Sequence, residues 1–238
     1  APYMFIETKK HVKKGKKVLY VTNEFLQRRY PTKGEKISCS DVVLKDFNDS
    51  IIKKRLDKIS KMNEEATVKI CTVANVGLKY KGQEYILKAL SKLKDKGNIK
   101  FNYYLIGNGK KEYLERIVKK LGLSEQVVFV GSLNHEDVFK MIDEMDLYIQ
   151  PSLQEGMPRA LLEAMSRGCP SIGSTAGGIP ELLNKKYVFK KKDVDGIVNI
   201  LARINKEELR NMAKLCYNMS KKFSKEILES RRNKFYVE

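Results

Sequence analysis

Two glutamates, Glu155 and Glu163, stand within the stretch QPSLQEGMPRALLEAMSRGCPSIGSTAGGIPELL at residues 150–183. The apolar run Leu147–Ile149 followed by Pro151, Ser152, Glu155 and Gly156 reads as a strand running into a loop. Met157, Leu161, Leu162 and Met165 then carry helical spacing, with Pro158 suited to the first turn and Gly168 to the end. The start of a helix offers unpaired N–H groups and a partial positive charge to an anion. A carboxylate beside such a site is unfavourable unless it holds something neutral, and sugar or ribose hydroxyls are the donors that suit it. The bland alternative makes Glu155 a loop residue and Glu163 a solvated helix residue.

A third candidate is Lys81, in VGLKYKGQE at residues 76–84, just ahead of a helix start. There an ammonium could neutralise a diphosphate as a point charge beside the helix end. With 47 Lys and Arg in the chain, an ordinary surface lysine is the competing reading.

The elements that must position these residues follow from periodicity. Residues 67–76 read as a strand, Gly82–Lys96 as a helix, Phe101–Ile106 as a strand and Lys111–Leu121 as a helix. Gln126–Val130, Glu136–Glu144, Asp146–Gln150, the helix after Pro158 and Cys169–Ser174 continue the alternation. Strands alternating with helices of this length predict an α/β fold, a Rossmann-like open parallel sheet with helices on both faces. In such sheets ligands lie beyond the carboxyl ends of the strands, where Lys81, Glu155 and Gly156 fall. A short strand at Tyr187–Phe189 and helices at about Val194–Ile204, Lys206–Met219 and Lys225–Phe235 complete the chain. Upstream, residues 1–16 show no clear period, Val18–Val21 is a strand, and Thr22 or Asn23 can cap a helix to about Arg29. Val42–Leu44 leads into a polar helical segment, Ser50–Met62.

The motifs resemble a known family. Glu155-Gly156-Met157-Pro158-Arg159-Ala160-Leu161-Leu162-Glu163-Ala164-Met165, then Gly168-Cys169-Pro170 and Gly177-Gly178-Ile179-Pro180-Glu181, is similar to the donor half of retaining, nucleotide-sugar-dependent glycosyltransferases of the two-domain GT-B fold, family 4. The resemblance covers residues 66–238, extends to 18–65 and barely reaches the first 17. It implies a remnant of an N-terminal acceptor domain at 1–45, an interdomain linker at 46–65 and a nucleotide-sugar donor-binding domain at 66–238. It also implies that Glu155 is catalytic, holding a donor-sugar hydroxyl and assisting charge development at the anomeric centre. Glu163 should accept from ribose hydroxyls, and Lys81 should stabilise the departing nucleoside diphosphate. Gly156 and Met157 join the donor site, and Leu133, in Gly131-Ser132-Leu133, stands where the family holds the base, unless it is ordinary core. Gly107-Asn108-Gly109 reads as a turn near the nucleotide rather than a dinucleotide fingerprint.

Two departures stand out. Where the family has an arginine a few residues before the lysine, this chain has Asn75 or a neighbour, so the second charge is missing or comes from Lys79 or Arg159. Pro158 replaces a glycine common in the family and cannot donate a backbone hydrogen bond.

Composition bounds the rest. The 238 residues are 42% hydrophobic, enough for one sizeable core and a piece of another domain. No apolar stretch approaches the ~20 residues of a spanning helix, and no signal peptide is visible. Cys39, Cys71, Cys169 and Cys216 are widely spaced, as reduced core thiols of a cytoplasmic protein would be, and with only two histidines a His/Cys metal site is not expected. No cofactor or metal is needed if Lys81 and the helix end supply the charge. The net charge of +18 calls for an anionic partner or for a solvated lysine-rich surface. The partners expected are a nucleotide-sugar donor, the missing acceptor domain and a peripheral contact with an anionic membrane at its inner face or a lipid-linked acceptor. No nucleic acid is expected, because no aromatic run accompanies the lysines. A non-catalytic module binding nucleotide sugar or phosphate is the rival.

Overall fold

The computed structural model describes residues 2–45, 47–63, 66–95 and 100–237. Before the main sheet come α1 (Pro2–Lys14), β1 (Lys17–Tyr20), α2 (Phe25–Arg29), β2 (Glu35–Ser38) and α3 (Asp49–Ser60). The main body runs β3 (Val68–Val73), α4 (Gln83–Asp95), β4 (Phe101–Ile106), α5 (Glu112–Lys120), β5 (Val127–Gly131), α6 (His135–Glu144) and β6 (Leu147–Gln150). It continues with α7 (Arg159–Ser166), β7 (Ser171–Ser174), α8 (Ile179–Leu182), β8 (Val188–Phe189), α9 (Val194–Leu201), α10 (Lys206–Ser220) and α11 (Lys225–Val237).

Six parallel strands lie in the order β5-β4-β3-β6-β7-β8. Successive side chains of a strand point to opposite faces, and the sheet therefore divides the core in two. Ile70, Leu105, Leu147 and Ile149 pack on one face with α4 and α9, while Cys71, Ile106 and Tyr148 pack on the other with α7 and α8. All residues of β6 and β7 are buried, as expected for central strands covered on both sides. The α/β class with a parallel sheet and helices on both faces is the one anticipated from the periodicity.

Several boundaries differ from the sequence reading. The strand predicted over 67–76 stops at Val73, because Asn75 folds the chain into a loop by accepting from the Gly77 N–H at 2.9 Å. The predicted helix end at Lys96 lies outside the described residues, as do positions 46, 64 and 65 of the 46–65 segment. Within residues 1–16, which have no clear period, Pro2–Lys14 forms α1, with Phe5 set against Tyr30 at 5.4 Å between ring centroids. β2 and the four-residue α8 are too short for a pattern to declare them. All four cysteines are free and buried, and burial pushes the Cys216 thiol up to about 12. No helix among the described residues is long and apolar enough to cross a membrane.

α3 is fastened by Arg55, which is 4% exposed and donates to the carbonyls of Ile142 at 2.9 Å and Arg167 at 3.3 Å. A cation at the carboxyl ends of α6 and α7 complements their unpaired carbonyls. β1 and β2 pair in parallel as a separate two-stranded sheet, joined through α2. Thr22 caps that helix by accepting from the Leu26 N–H at 2.8 Å. The other acceptor is remote in sequence: the Glu181 carboxylate receives the N–H groups of Asn23 at 2.5 Å, Phe25 at 2.8 Å and Glu24 at 3.1 Å. One carboxylate thus ties α2 to α8, the short helix that follows β7.

Glu181→Ala is expected to speed hydrogen exchange at Asn23, Glu24 and Phe25 and to cost about 0.5–2 kcal/mol of stability, the range for a lost helix cap. Amides of the main sheet should keep their protection. Unchanged exchange at the three capped amides would show that Glu181 does not hold α2.

Candidate functional site

From β3 the chain proceeds outward to β4 on one side, and β6 lies on β3's other side. That reversal splays the loops following β3 and β6 and opens a crevice at their carboxyl ends. Two close approaches fix its shape. Gly82 has φ +77°, and a Cβ there would stand 2.1 Å from the Pro151 carbonyl oxygen, so the loop after β3 lies directly on the end of β6. The Leu153 N–H donates to the Tyr80 carbonyl at 2.7 Å and joins the same two loops. Gly177, at φ +56°, allows an equally close approach to the Glu155 carbonyl, and the Gly178 N–H donates to the Gly156 carbonyl at 2.8 Å.

These contacts bring Lys81 and Glu155 together. Lys81 Nζ lies 2.7 Å from Glu155 Oε1, with the two side chains 20% and 12% exposed. Ser152 Oγ donates to the same oxygen at 2.7 Å and Gln150 Nε2 at 3.1 Å. Tyr148 completes the chain by donating to Gln150 Oε1 at 2.6 Å, and burial holds its phenol protonated, well above its ordinary pKa. All three donors engage Oε1, and among the described residues none reaches Oε2, which stays available to a ligand hydroxyl. The sequence alone gave Lys81 and Glu155 separate ligand groups and overlooked Tyr148, Gln150 and Ser152. Their signal was present as alternate positions on one strand and its extension, polar where the intervening residues are apolar.

Glu163 is 7% exposed, which removes the solvated-helix alternative. Its Oε1 lies 3.1 Å from His135 Nε2, and the imidazole meets Phe139 edge-on at 4.6 Å between centroids. His135, the first residue of α6, was not singled out from the sequence. α7 begins at Arg159 with Pro158 at its N-cap, and among the described residues no side chain caps it. Its first N–H groups are thereby left for another acceptor, beside Gly156 and Met157.

The remaining candidates scatter around this centre. Asn75 organises its loop, donating from Nδ2 to Asn108 Oδ1 at 2.9 Å and accepting on its carbonyl from Gln83 Nε2 at 3.3 Å. The turn at Gly107-Asn108-Gly109 is packed against Asn75 itself, since a Cβ on Gly109 would sit 2.3 Å from Asn75 Oδ1. Lys79 stands over the Tyr113 ring at 4.4 Å, and Arg159 is exposed at the start of α7. Leu133 is partly buried against the core on the α7 face.

A cleft of about 780 Å³ lies above the crevice. Lys81, Glu155 and Gly156 line it together with Phe25, Arg29 and Tyr30 from the α2 region. Glu163, Asn75, Lys79, Arg159 and Leu133 are not part of this lining. Among the described residues, no group of three His, Cys, Asp or Glu is placed to hold a metal ion.

Comparison with known proteins places this arrangement. The family model for glycosyl transferases group 1 matches residues 54–225. Protein CapJ of Staphylococcus aureus is 32% identical over 199 residues, covering 82% of this chain and 48% of that protein. The amylovoran biosynthesis glycosyltransferase AmsK of Erwinia amylovora is 32% identical over 151 residues, covering 59% of this chain and 37% of that one. The chain therefore spans about half the length of CapJ and less of AmsK. Sucrose-phosphate synthase from Thermosynechococcus elongatus superposes with a TM-score of 0.81 at 18% identity, over 100% of this chain and 61% of that one. Anabaena HepE, solved in complex with UDP and glucose, superposes at 0.76 with 17% identity, over 98% and 68%. Likeness at such identities speaks for the fold, which is that of GT-B glycosyltransferases. With its family model spanning the sheet, the switch-point loops and the helices that cover them, the chain belongs to the glycosyl transferases group 1 family.

Proposed function

We propose that residues 66–238 are the nucleotide-sugar donor-binding domain of a retaining glycosyltransferase of family 4, with 1–45 belonging to an acceptor-binding domain and 46–65 crossing between them. The observation that carries this reading is the meeting of Lys81 and Glu155 at the strand reversal, beside the uncapped start of α7. A nucleoside diphosphate placed there meets a lysine and free helix N–H groups. A sugar beyond it meets Glu155 Oε2.

The chemistry follows from charge. Departure of a nucleoside diphosphate concentrates negative charge on the leaving oxygens, and fixed positive groups stabilise that charge more in the transition state than before it. Lys81 and the N–H groups of α7 are the fixed groups, and they make a metal unnecessary for this role. Glu155 holds a donor hydroxyl on Oε2 and offsets positive charge developing at the anomeric carbon. Three donors orient its carboxylate. Glu163, held by His135, accepts from the ribose hydroxyls. Gly156 permits close approach of the donor, Met157 and Arg159 flank it, and Leu133 packs near the base. Asn75 shapes the loop that carries Lys81, and Lys79 contributes charge at longer range. Retention rests on the family resemblance.

Among the relatives are glycosyltransferases named for amylovoran and colanic acid biosynthesis and a galactosyltransferase acting on a diphosphoundecaprenol-linked sugar. A related role fits this chain, with a lipid-linked acceptor at the cytoplasmic face and the +18 charge meeting anionic lipid. A thermal-shift panel of nucleoside diphosphates and nucleotide sugars tests the donor assignment, UDP and UDP-glucose coming first because HepE was solved with them.

Glu163→Ala should weaken nucleoside diphosphate binding by about 1.5–3 kcal/mol, as for lost hydrogen bonds to a charged group. An unchanged dissociation constant in a folded variant would reduce Glu163 to a structural partner of His135. Lys81→Ala should lower the same affinity by about tenfold or more, far beyond matched changes at Lys53 or Lys190, and with weaker salt dependence than a surface effect. Calorimetry at low and high salt decides this: equal, steeply salt-dependent losses at all three positions would refute the assignment. The chain as given should bind donor and transfer no sugar. Robust transfer on adding acceptor would overturn its reading as a half-enzyme.

A further inference from the structure

The cleft beside Glu155 carries more positive charge than the Lys81–Glu155 pair uses. Arg29 and Lys191 line the same cleft, Arg29 from the end of α2 and Lys191 from the turn after β8. Among the described residues no ion pair engages either of them, whereas Lys81 is matched by Glu155 and the neighbouring Arg28 by Glu24. Two cations therefore face the cleft without a carboxylate to balance them.

The Arg29 side chain is held, and Lys191 stands in a turn fixed through its backbone. Arg29 lies over the Phe5 ring at 4.8 Å and the Tyr30 ring at 5.7 Å, and its Nε donates to Tyr30 Oη at 3.3 Å. Stacking of this kind fixes the plane of a guanidinium and leaves its terminal N–H groups for a ligand. The helix that bears it is tied down by Glu181. Lys191 sits in a turn whose backbone N–H donates to Thr175 Oγ1 at 3.3 Å. The next residue, Lys192, has φ +67°, the only non-glycine positive φ among the described residues. Such a conformation is unfavourable for a residue with a Cβ and persists where the surroundings impose it. Here it directs the chain from the edge of the cleft into the cap of α9, where Asp193 accepts from the Gly196 N–H at 2.8 Å.

We infer that Arg29 and Lys191 form an anion subsite for a phosphoryl group in the cleft that Lys81 and Glu155 also line. Two unbalanced positive charges suit a dianionic phosphoryl group better than a single carboxylate, and the arginine fork supplies directed donors while the lysine supplies a point charge. Lys79 and Arg159 do not line this cleft, so the subsite adds positive charge within it. The group can come from the donor's diphosphate or from a phosphorylated acceptor. This deepens the donor-binding reading, on which the choice between those sources rests.

The test uses the full chain, with inorganic pyrophosphate and UDP as probes in calorimetry. It compares wild type, Arg29→Gln, Lys191→Gln, the double variant and a surface control, Lys53→Gln. Arg29 and Lys191 are exposed, so the variants are expected to fold, and matching circular dichroism melts confirm it. Each single change should weaken pyrophosphate by about tenfold and the double change by more, while Lys53→Gln stays within about twofold. A parallel loss for UDP assigns the phosphoryl group to the donor. Loss for pyrophosphate with UDP unchanged assigns it to an acceptor. Pyrophosphate affinity in the double variant within about twofold of wild type, an equal loss at Lys53→Gln, or no pyrophosphate binding by wild type overturns the subsite. Should wild type bind pyrophosphate through these residues but no nucleoside diphosphate from the panel, the donor-binding reading fails and the subsite stands.

Discussion

The site depends on how closely the loop after β3 can lie on the end of β6. Without that contact the lysine of one loop could not reach the carboxylate of the other. Gly82 makes it possible, since any side chain would be driven into the Pro151 carbonyl at 2.1 Å. The resulting Lys81–Glu155 pair is mostly removed from solvent, at 20% and 12% side-chain exposure, so its attraction is not screened as a surface pair would be. Removing charges from water is costly, and the cost is tolerated when further hydrogen bonds satisfy the carboxylate. Ser152 and Gln150 provide them, and the buried Tyr148 phenol fixes the glutamine amide in turn.

The two glutamates that open the sequence reading turn out to be built differently. Glu155 belongs to the loop, faces the cleft and is oriented by four residues of β3–α4 and β6–α7. Glu163 belongs to α7, is buried and meets one imidazole from the start of α6. The spacing between them is the length of a loop plus the first turns of a helix. It places one carboxylate ahead of the free N–H groups of α7 and the other behind them. An anion at that helix end would thus have a hydroxyl acceptor on each side, which is what a nucleoside diphosphate joined to a sugar requires on the proposed reading.

Much of the fold was legible because parallel strands buried on both faces leave continuous apolar runs, and because helices between them keep a clear period. The runs ending at Ile106 and Gln150 gave β4 and β6 to within a residue. α1 was not legible, since its apolar residues Tyr3, Met4 and Ile6 are exposed and make no core-facing stripe. The same limit applies to the site. Lys81, Glu155 and Glu163 could be singled out by motif, but their partners could not, because pairing across 74 residues, as in Lys81–Glu155, is decided by strand order. Strand order is a tertiary property. His135 shows the difficulty most plainly: a lone histidine at the start of a helix carries no local sign that it will meet a glutamate on the next helix in chain order.

Charge alone does not account for Lys81. In a chain with 47 basic residues, a lysine near a cleft is unremarkable, and exposed pairs such as Lys61–Asp57 and Lys140–Asp137 link neighbours on one helix with lysine exposures of 73% and 74%. Such pairs contribute little and are easily exchanged for water and salt. Lys81 differs in joining two loops, in its burial and in sharing its partner with two neutral donors. Loss of the lysine would leave Glu155 supported by Ser152 and Gln150 but without a counter-charge. On the proposed reading, the lysine therefore serves two anions: it holds Glu155 in place for the sugar, and it offers its remaining N–H donors to the phosphate that leaves. A cation between two negative groups can shift toward whichever gains charge as the bond to the leaving group breaks, without any large movement of the backbone that the glycines have fixed.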